Sequence, residues 1–233
     1  MAFNRYLDRD IDAKNPRTAT REIPAGVISP GAALGFVVLN SLLFIATTWF
    51  INPLCLLLSP IALFVVLIYS YTKRFTFLCH FVLGLGLALA PIGAYLAAGG
   101  GFDLIPLLYS FSVLFWVSGF DIIYALQDEG FDKSMQLHSI PTALGKKNAL
   151  RLSTVLHVIT AALIVTGNYF LTVHYPEFGW ISWTGTALFV SLLFYQHLLV
   201  KPDDLSKVNL AFFTTNGIAS LIIGGLIILD LFI

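Results

Sequence analysis

Seven apolar stretches of bilayer-spanning length follow one another along this 233-residue chain. A transmembrane helix needs roughly 20 consecutive apolar residues, because its backbone polar groups must be satisfied within the helix. The mean hydropathy of +0.85 exceeds that of an ordinary soluble domain. The sequence therefore predicts an all-α, multi-pass transmembrane helical bundle. Its predicted spans are residues 31–51, 54–71, 77–98, 104–127, 149–172, 180–200 and 208–232.

All 13 Lys and Arg residues fall in alternate loops. They lie in residues 1–30, 73–74, 133–151 and 201–207, whereas the loops between these contain none. Because cytoplasmic loops carry an excess of Lys and Arg, these segments are predicted to be cytoplasmic, with the C-terminus outside. The formal net charge of zero gives no basis for nucleic-acid binding.

An acidic cluster follows the fourth apolar stretch. Only 11% of the residues are charged, yet Asp121, Asp128, Glu129 and Asp132 lie within twelve positions. Asp128 and Asp132 are four residues apart and would share one helix face if the helix continues. Carboxylates this close repel each other unless a cation lies between them, and Mg²⁺ prefers such oxygen ligands. The alternative is a solvated loop between two membrane helices.

The N-terminal segment contains a second polar set. Asn4, Asp8 and Asp12 recur every four residues, so on a helix they form one polar face. An ordinary amphipathic helix with exposed acids would show the same pattern. Asn15-Pro16 is predicted to end this helix, and a loop with two arginines, at positions 17 and 21, follows.

A third polar element ends the second apolar stretch. Tyr69 and Lys73 are four residues apart, and Arg74 follows. Lys73 and Arg74 could be plain membrane anchors, but they share the predicted cytoplasmic face with both acidic sets. Carboxylates that hold Mg²⁺ together with cations could bind a diphosphate, whose hydrophobic part would lie in the bilayer or between the helices. A prenyl diphosphate has this character.

Three segments resemble signature regions of the UbiA family of intramembrane prenyltransferases. They are NRYLDRDIDAKNPRTATREIPAG, YSYTK and DIIYALQDEGFDKSMQLHSIPTALG. The resemblance implies nine transmembrane helices around a central cavity, of which this chain would contain seven and a stub. Residues 1–233 are thus expected to form a single domain that lacks the first helix and most of the second. One departure is Arg5, where the family commonly has Asp.

The resemblance also implies roles for individual residues. The expected metal ligands are Asn4, Asp8, Asp12, Asp128 and Asp132. The expected catalytic residues are Lys73, Arg74 and Asp121. The expected substrate-binding residues are Asn4, Arg17, Arg21, Tyr69, Lys73 and Tyr124.

The implied reaction is electrophilic aromatic substitution with Mg²⁺ as cofactor. The expected substrates are a polyprenyl diphosphate and an aromatic acid, 4-hydroxybenzoate in quinone biosynthesis, or alternatively dihydroxynaphthoate in menaquinone synthesis. A membrane transporter is a rival interpretation, but it predicts acids near the middle of the membrane rather than at one end. A phosphatidyl-alcohol transferase also uses Asp pairs and Mg²⁺, but its acidic signature on a single helix is absent here.

Overall fold

Ten α-helices make up the computed structural model, which describes residues 1–233. Two short helices come first, α1 (Ala2–Leu7) and α2 (Arg9–Asp12). The other eight are α3 (Pro30–Trp49), α4 (Pro53–Thr72), α5 (Cys79–Ala97), α6 (Leu104–Ala125), α7 (Glu129–Ser134), α8 (Ile140–His174), α9 (Trp180–Leu199) and α10 (Asn216–Asp230). A π-helical segment, Leu210–Thr215, leads directly into α10. The predicted all-α fold is confirmed.

Each of the seven predicted apolar stretches forms a long helix. Six helical segments are long and apolar enough to cross a membrane, and they include α6 with its continuation to Ser134 and the π-helical segment with α10. The helix not among the six is α9, which is of similar length but contains polar residues such as Ser182 and Gln196. The chain is thus an integral membrane protein.

Polar side chains start three of the long helices. The Asn52 amide oxygen accepts a hydrogen bond from the backbone N–H of Cys55 at 2.8 Å, and Ser29 and Ser139 cap α3 and α8 in the same way. Each cap is followed within two residues by a proline, which is favourable in the first helical turn because no hydrogen-bond donor is needed there. The helix starts were therefore readable from local sequence.

The helix α6 continues beyond its last regular turn. A 3₁₀ turn, Leu126–Asp128, connects it to α7, so the polypeptide remains helical through the acidic cluster as predicted. Ser139 then begins α8, which is interrupted at Gly145, where φ is 74°. Only glycine adopts this conformation without strain. The acidic cluster is therefore held between two rigid helices.

The main core lies beside this acidic end of the bundle. Ile122, Ile123 and Leu126 of α6 and its 3₁₀ turn are almost completely buried and belong to one cluster with Ile140 and Ala149 of α8. Close approach of α5 and α6 depends on Gly84, because a Cβ atom there would lie 2.5 Å from the carbonyl oxygen of Leu114. Packing thus fixes the helix that carries Asp121 and Tyr124.

The opposite end of the bundle is held by side chain to backbone contacts. The Asn52 amide nitrogen donates to the Leu96 carbonyl oxygen at 2.8 Å. The buried Asp230 carboxylate near the end of α10 accepts hydrogen bonds from the backbone N–H groups of Gly179 (2.7 Å) and Ser182 (2.9 Å), at the start of α9. The last helix therefore caps the helix before it.

Candidate active site

The first polar set lies on two short helices rather than one. The sequence predicted one continuous helix through Asn4, Asp8 and Asp12, and this is wrong because the helix breaks at Asp8 (φ −93°, ψ 9°). The backbone N–H of Asp8 still donates to the Asn4 carbonyl oxygen, and that of Asp12 donates to the Asp8 carbonyl oxygen. The three residues therefore remain neighbours, while Asp8 and Asp12 can face different partners.

Asp8 connects the N-terminal segment to the end of α4. Its carboxylate accepts hydrogen bonds from the Asn4 amide at 2.8 Å and from an Arg74 Nη atom at 3.1 Å. The same Arg74 nitrogen also donates to the backbone carbonyl oxygen of Leu7. Burial raises the pKa of the Asp8 carboxyl, whereas the charges of Arg74 and Lys73 act to lower it. Lys73 and Arg74 therefore both act on the first polar set.

Asp12 is paired within the N-terminal segment itself. Arg21 donates from one Nη atom to both carboxylate oxygens of Asp12, each at 2.8 Å. The Thr18 hydroxyl donates to the Asp12 backbone carbonyl oxygen at 3.1 Å, so the loop folds back over the short helix α2. Asp12 is buried despite its place near the chain terminus.

Arg17 joins the same loop to the second acidic cluster. Its guanidinium contacts both oxygens of Asp128, with an Nε to Oδ1 distance of 2.9 Å, and donates to the Tyr124 hydroxyl at 2.7 Å. The Asn15 amide also donates to Asp128, at 3.2 Å. Burial would lower the pKa of Arg17, but the hydrogen bonds and charge of Asp128 outweigh it and raise that pKa. Arg17 is thus a firmly charged link across the site.

Lys73 connects the end of α4 to α7. Its Nζ atom lies 2.7 Å from Oδ1 of Asp132, which is fully buried. Apart from this ion pair, neither carboxylate oxygen of Asp132 has a polar partner. The backbone carbonyl oxygen of Lys73 accepts a hydrogen bond from the N–H of His138 at 2.8 Å, which holds the following loop in place.

Asp121 has a different kind of partner. Its Oδ2 atom lies 2.7 Å from Nδ1 of His80 on α5, and no Lys or Arg contacts it. The His80 ring is almost completely buried, whereas the Asp121 side chain retains 22% exposure. Tyr69, one turn before Lys73 on α4, lies within range of the charges of Asp8 and Asp121. The predicted residues of all three segments therefore meet at one end of the bundle.

Two other charged residues of these segments lie outside the set. Arg5 forms an ion pair with Glu22, as expected for a residue that points away from Asn4 and Asp8. Glu129 pairs with Lys133 at 2.7 Å, and its side chain is 13% exposed. Neither contact involves a predicted site residue.

Four acids and four cations thus form four pairs. They are Asp8–Arg74, Asp12–Arg21, Asp128–Arg17 and Asp132–Lys73. In this paired arrangement no three Asp, Glu, His or Cys side chains converge on one point. The donor set nevertheless fits Mg²⁺, because carboxylate and amide oxygens are its usual protein ligands and the oxygens of buried Asp132 have no partner other than Lys73.

Sequence reasoning missed two residues of this arrangement, His80 and Asn15. His80 is 41 positions from Asp121 and stands alone in an apolar stretch, so spacing gave no sign of the contact. Asn15 was assigned only to a helix end, although its amide contacts Asp128 across 113 positions. The sequence around Asn15 carries no sign of this contact, because the burial of the side chain appears only in the folded structure.

Comparison with known proteins agrees with the geometry. The model of the UbiA prenyltransferase family matches residues 1–218. A protein of Vibrio campbellii named 4-hydroxybenzoate octaprenyltransferase is 30% identical over 229 residues, which covers 97% of this chain and 78% of that protein. A protein of Tolumonas auensis with the same name is 29% identical, and the match covers 97% of this chain and 77% of that protein.

Solved structures share the fold. The apo structure of a UbiA homologue from Aeropyrum pernix superposes with a TM-score of 0.87 at 35% identity, covering 99% of this chain and 83% of that one. A UbiA homologue from Archaeoglobus fulgidus, solved with GPP and Mg²⁺, has a TM-score of 0.68 at 19% identity. The match covers 100% of this chain and 82% of that one. The family match over nearly the whole chain, together with this likeness, shows that the chain belongs to the UbiA prenyltransferase family.

Proposed function

We propose that this enzyme transfers a polyprenyl group from a prenyl diphosphate to 4-hydroxybenzoate in quinone biosynthesis. The observation that carries the proposal is the set of four acid–cation pairs that gathers three distant segments at one end of an apolar bundle. The acceptor is inferred from the relatives named 4-hydroxybenzoate octaprenyltransferase. In this proposal residues 1–233 act as a single domain.

The diphosphate would bind where the four pairs meet. Asn4, Asp8 and Asp12 would hold one Mg²⁺, and Asp128 and Asp132 would hold another. Four cations would then exchange their carboxylate partners for phosphate oxygens. These cations belong to Arg17, Arg21, Lys73 and Arg74. Because the four acids and four cations already balance, a diphosphate and two Mg²⁺ ions would arrive together with little change in net charge.

The departure of the diphosphate generates an allylic cation. Mg²⁺ bound at the site would neutralise the charge that develops on the leaving group. Lys73 and Arg74 would stabilise the same charge from the end of α4, because preorganised cations act strongly where water is excluded. Tyr69 would lie close enough to the site for cation–π contact with the prenyl cation, and Tyr124 would offer a ring face once Arg17, which covers it in this structure, turns to the diphosphate.

The prenyl chain would lie within the bundle. An apolar cavity of about 200 Å³ lies between α5, α6, α8, α9 and α10, and its lining includes Tyr109, Trp116 and Phe189. Trp116 is five residues before Asp121 on α6, so the cavity lies about 8 Å deeper than the carboxylate along the helix axis. A hydrocarbon chain that leads from the diphosphate into this cavity would keep water from the cation.

The basic loops are proposed to be cytoplasmic. Lys73, Arg74 and Lys133 lie at the same end of the bundle as the N-terminal arginines, and cytoplasmic loops are enriched in such residues. The diphosphate and the aromatic acid are both anionic and would reach this end from the cytoplasm. A bacterial inner membrane is the proposed location.

Membranes containing the protein should be incubated with labelled prenyl diphosphate and Mg²⁺. One sample receives 4-hydroxybenzoate, a second receives dihydroxynaphthoate and a third receives no acceptor, with Asp128→Ala membranes as the inactive control. The proposal expects a prenylated product from 4-hydroxybenzoate and none without acceptor. A product from dihydroxynaphthoate alone would move the enzyme to menaquinone synthesis, and release of label across vesicle membranes without any product would favour a transporter.

A further inference from the structure

His80 and Asp121 form a buried contact that the diphosphate chemistry does not use. Nδ1 of His80 lies 2.7 Å from Oδ2 of Asp121, and the two residues lie on adjacent helices, α5 and α6. The other ring nitrogen, Nε2, is 3.3 Å from the backbone nitrogen of Ile140 at the start of α8. One imidazole ring therefore links three helices.

The contact with Ile140 decides the tautomer of His80. A backbone N–H can only donate, so Nε2 must be the acceptor and carries no proton. In the neutral ring the proton is then on Nδ1, which donates to the Asp121 carboxylate. Because both nitrogens are committed, His80 cannot itself shuttle a proton to a substrate, and its role must be exerted through Asp121.

Asp121 is also unlike the other acids of the site. The other four are each paired with a Lys or Arg, whereas the one partner of Asp121 is the His80 imidazole. Its Oδ2 is occupied by His80, its Oδ1 makes no hydrogen bond, and its side chain remains 22% exposed. Such a carboxylate has one oriented oxygen free to accept a proton.

The position of Asp121 fits a group that meets the acceptor ring rather than the diphosphate. Asp121, Tyr124 and Asp128 are three and seven residues apart along α6 and its continuation, so they lie on one helix face. Seven residues of helix place Asp121 about 10 Å deeper in the bundle than Asp128. Along the axis of α6, Asp121 is therefore deeper than the diphosphate end and less deep than the residues that line the apolar cavity.

We propose that His80 is a positioning residue that orients Asp121 to remove the ring proton of the aromatic acceptor. This inference rests on the proposed function. As the prenyl C–O bond breaks, its electron pair leaves with the diphosphate, and a ring carbon forms the new C–C bond to the prenyl cation. The C–H bond at that ring carbon then breaks, its electrons restore aromaticity, and the proton passes to Oδ1 of Asp121. No oxidant or further reactant is needed.

Two substitutions of His80 distinguish a role in orienting Asp121 from a role in helix packing. His80→Asn places an amide N–H near the position of Nδ1, so it can still donate to Asp121. His80→Gln reaches instead toward Ile140, where its amide oxygen can accept the backbone N–H, and it loses the donor to Asp121. Asp121→Asn removes the proposed base, and His174→Gln on an exposed position at the far end of α8 is the control.

The rates are measured with full-length protein and an aromatic acceptor deuterated at the carbon that is prenylated. His80→Gln should lower kcat about 10- to 100-fold with an unchanged KM for prenyl diphosphate. Asp121→Asn should lower kcat about 10²- to 10⁴-fold. In both, the hydrogen/deuterium rate ratio should rise above that of the wild type, because proton loss becomes the slower step, while His80→Asn should retain most of kcat.

Equal losses in His80→Asn and His80→Gln with an unchanged isotope ratio would assign His80 to packing and overturn the proposal. Wild-type values of kcat and isotope ratio in His80→Gln would do the same. The proposed function is judged separately, on whether the wild-type protein prenylates 4-hydroxybenzoate. If another aromatic acid is the acceptor, the variants are compared on that substrate, and if no prenyl transfer occurs at all, both proposals fail.

Discussion

Lys73 Nζ lies 2.7 Å from a carboxylate oxygen of Asp132, and this ion pair connects the end of α4 to the short helix α7. The acid is completely buried, whereas the Lys73 side chain is 35% exposed. Lys73 therefore lies between the solvent and the Asp132 carboxylate. The pair holds the second acidic cluster in place and presents a cation at the edge of the site.

Removal of Lys73 should affect stability and substrate binding separately. Lys73→Met leaves the buried Asp132 charge unpaired and should lower the free energy of unfolding by about 2 kcal/mol, a value reduced for the partial exposure of the lysine. Lys73→Met with Asp132→Asn should recover thermal stability in detergent without recovering activity. If Lys73→Met leaves the apparent affinity for prenyl diphosphate unchanged, Lys73 does not contact the diphosphate.

Loss of either acidic set should abolish Mg²⁺-dependent transfer. Asp8→Ala and Asp128→Ala should each remove activity at any Mg²⁺ concentration, while the protein still inserts into membranes, because the apolar helices drive insertion. Asp10→Ala is the matched control, since Asp10 lies between two site residues in sequence but its side chain is 83% exposed. Prenyl transfer at the wild-type rate by either site variant would disprove the metal assignment.

Arg74 should affect the pH below which kcat/KM falls. Burial raises the pKa of Asp8 and Arg74 lowers it, so Arg74→Gln should raise that pKa further. Metal binding needs the ionised carboxylate, which is lost as the pH falls through this pKa. The acid limb of the pH profile of kcat/KM should therefore move to higher pH in Arg74→Gln and stay in place in Arg9→Gln, whose guanidinium contacts no site acid. Coincident acid limbs for Arg74→Gln and the wild type would contradict this.

Gly84 should be intolerant of a side chain. A Cβ atom there would lie 2.4 Å from the Ser118 hydroxyl oxygen and 2.5 Å from the Leu114 carbonyl oxygen, so Gly84→Ala should separate α5 from α6. We expect about 1–3 kcal/mol lower stability, measured by thermal unfolding, and reduced activity because His80 and Asp121 face each other across the same interface. Gly93→Ala in the same helix is the control. Its added Cβ atom would have no neighbour within 4 Å, so this variant should behave as wild type.

Local sequence signals predicted most of the fold. Hydrophobic length identified the seven long helices, and the structure shows that Ser29-Pro30 and Asn52-Pro53 mark where two of them start. These signals suffice because a helix within a membrane depends on its own apolar length and its own backbone hydrogen bonds. The break at Asp8 was not predictable, since four-residue spacing looks the same whether or not the helix is interrupted.

The site was predicted as a set of residues but not as a set of pairs. The distribution of Lys and Arg among the loops placed Asp8 and Asp128 at one end of the bundle, but it could not say that Arg74 and Arg17 are their partners. Pairings between residues 66 and 111 positions apart depend on how the helices pack, and that information is not local. The contact of His80 with Asp121 was missed for the same reason.

The carboxylate of Asp230 has a consequence for how the protein is made. It occupies the backbone N–H groups at the start of α9, although it is synthesised about fifty residues later. Until α10 emerges from the ribosome, those groups lack the Asp230 carboxylate, and α9 is not among the helices that are apolar enough to cross the bilayer alone. We therefore expect the insertion machinery to release α9 and α10 into the lipid together, as a preassembled hairpin.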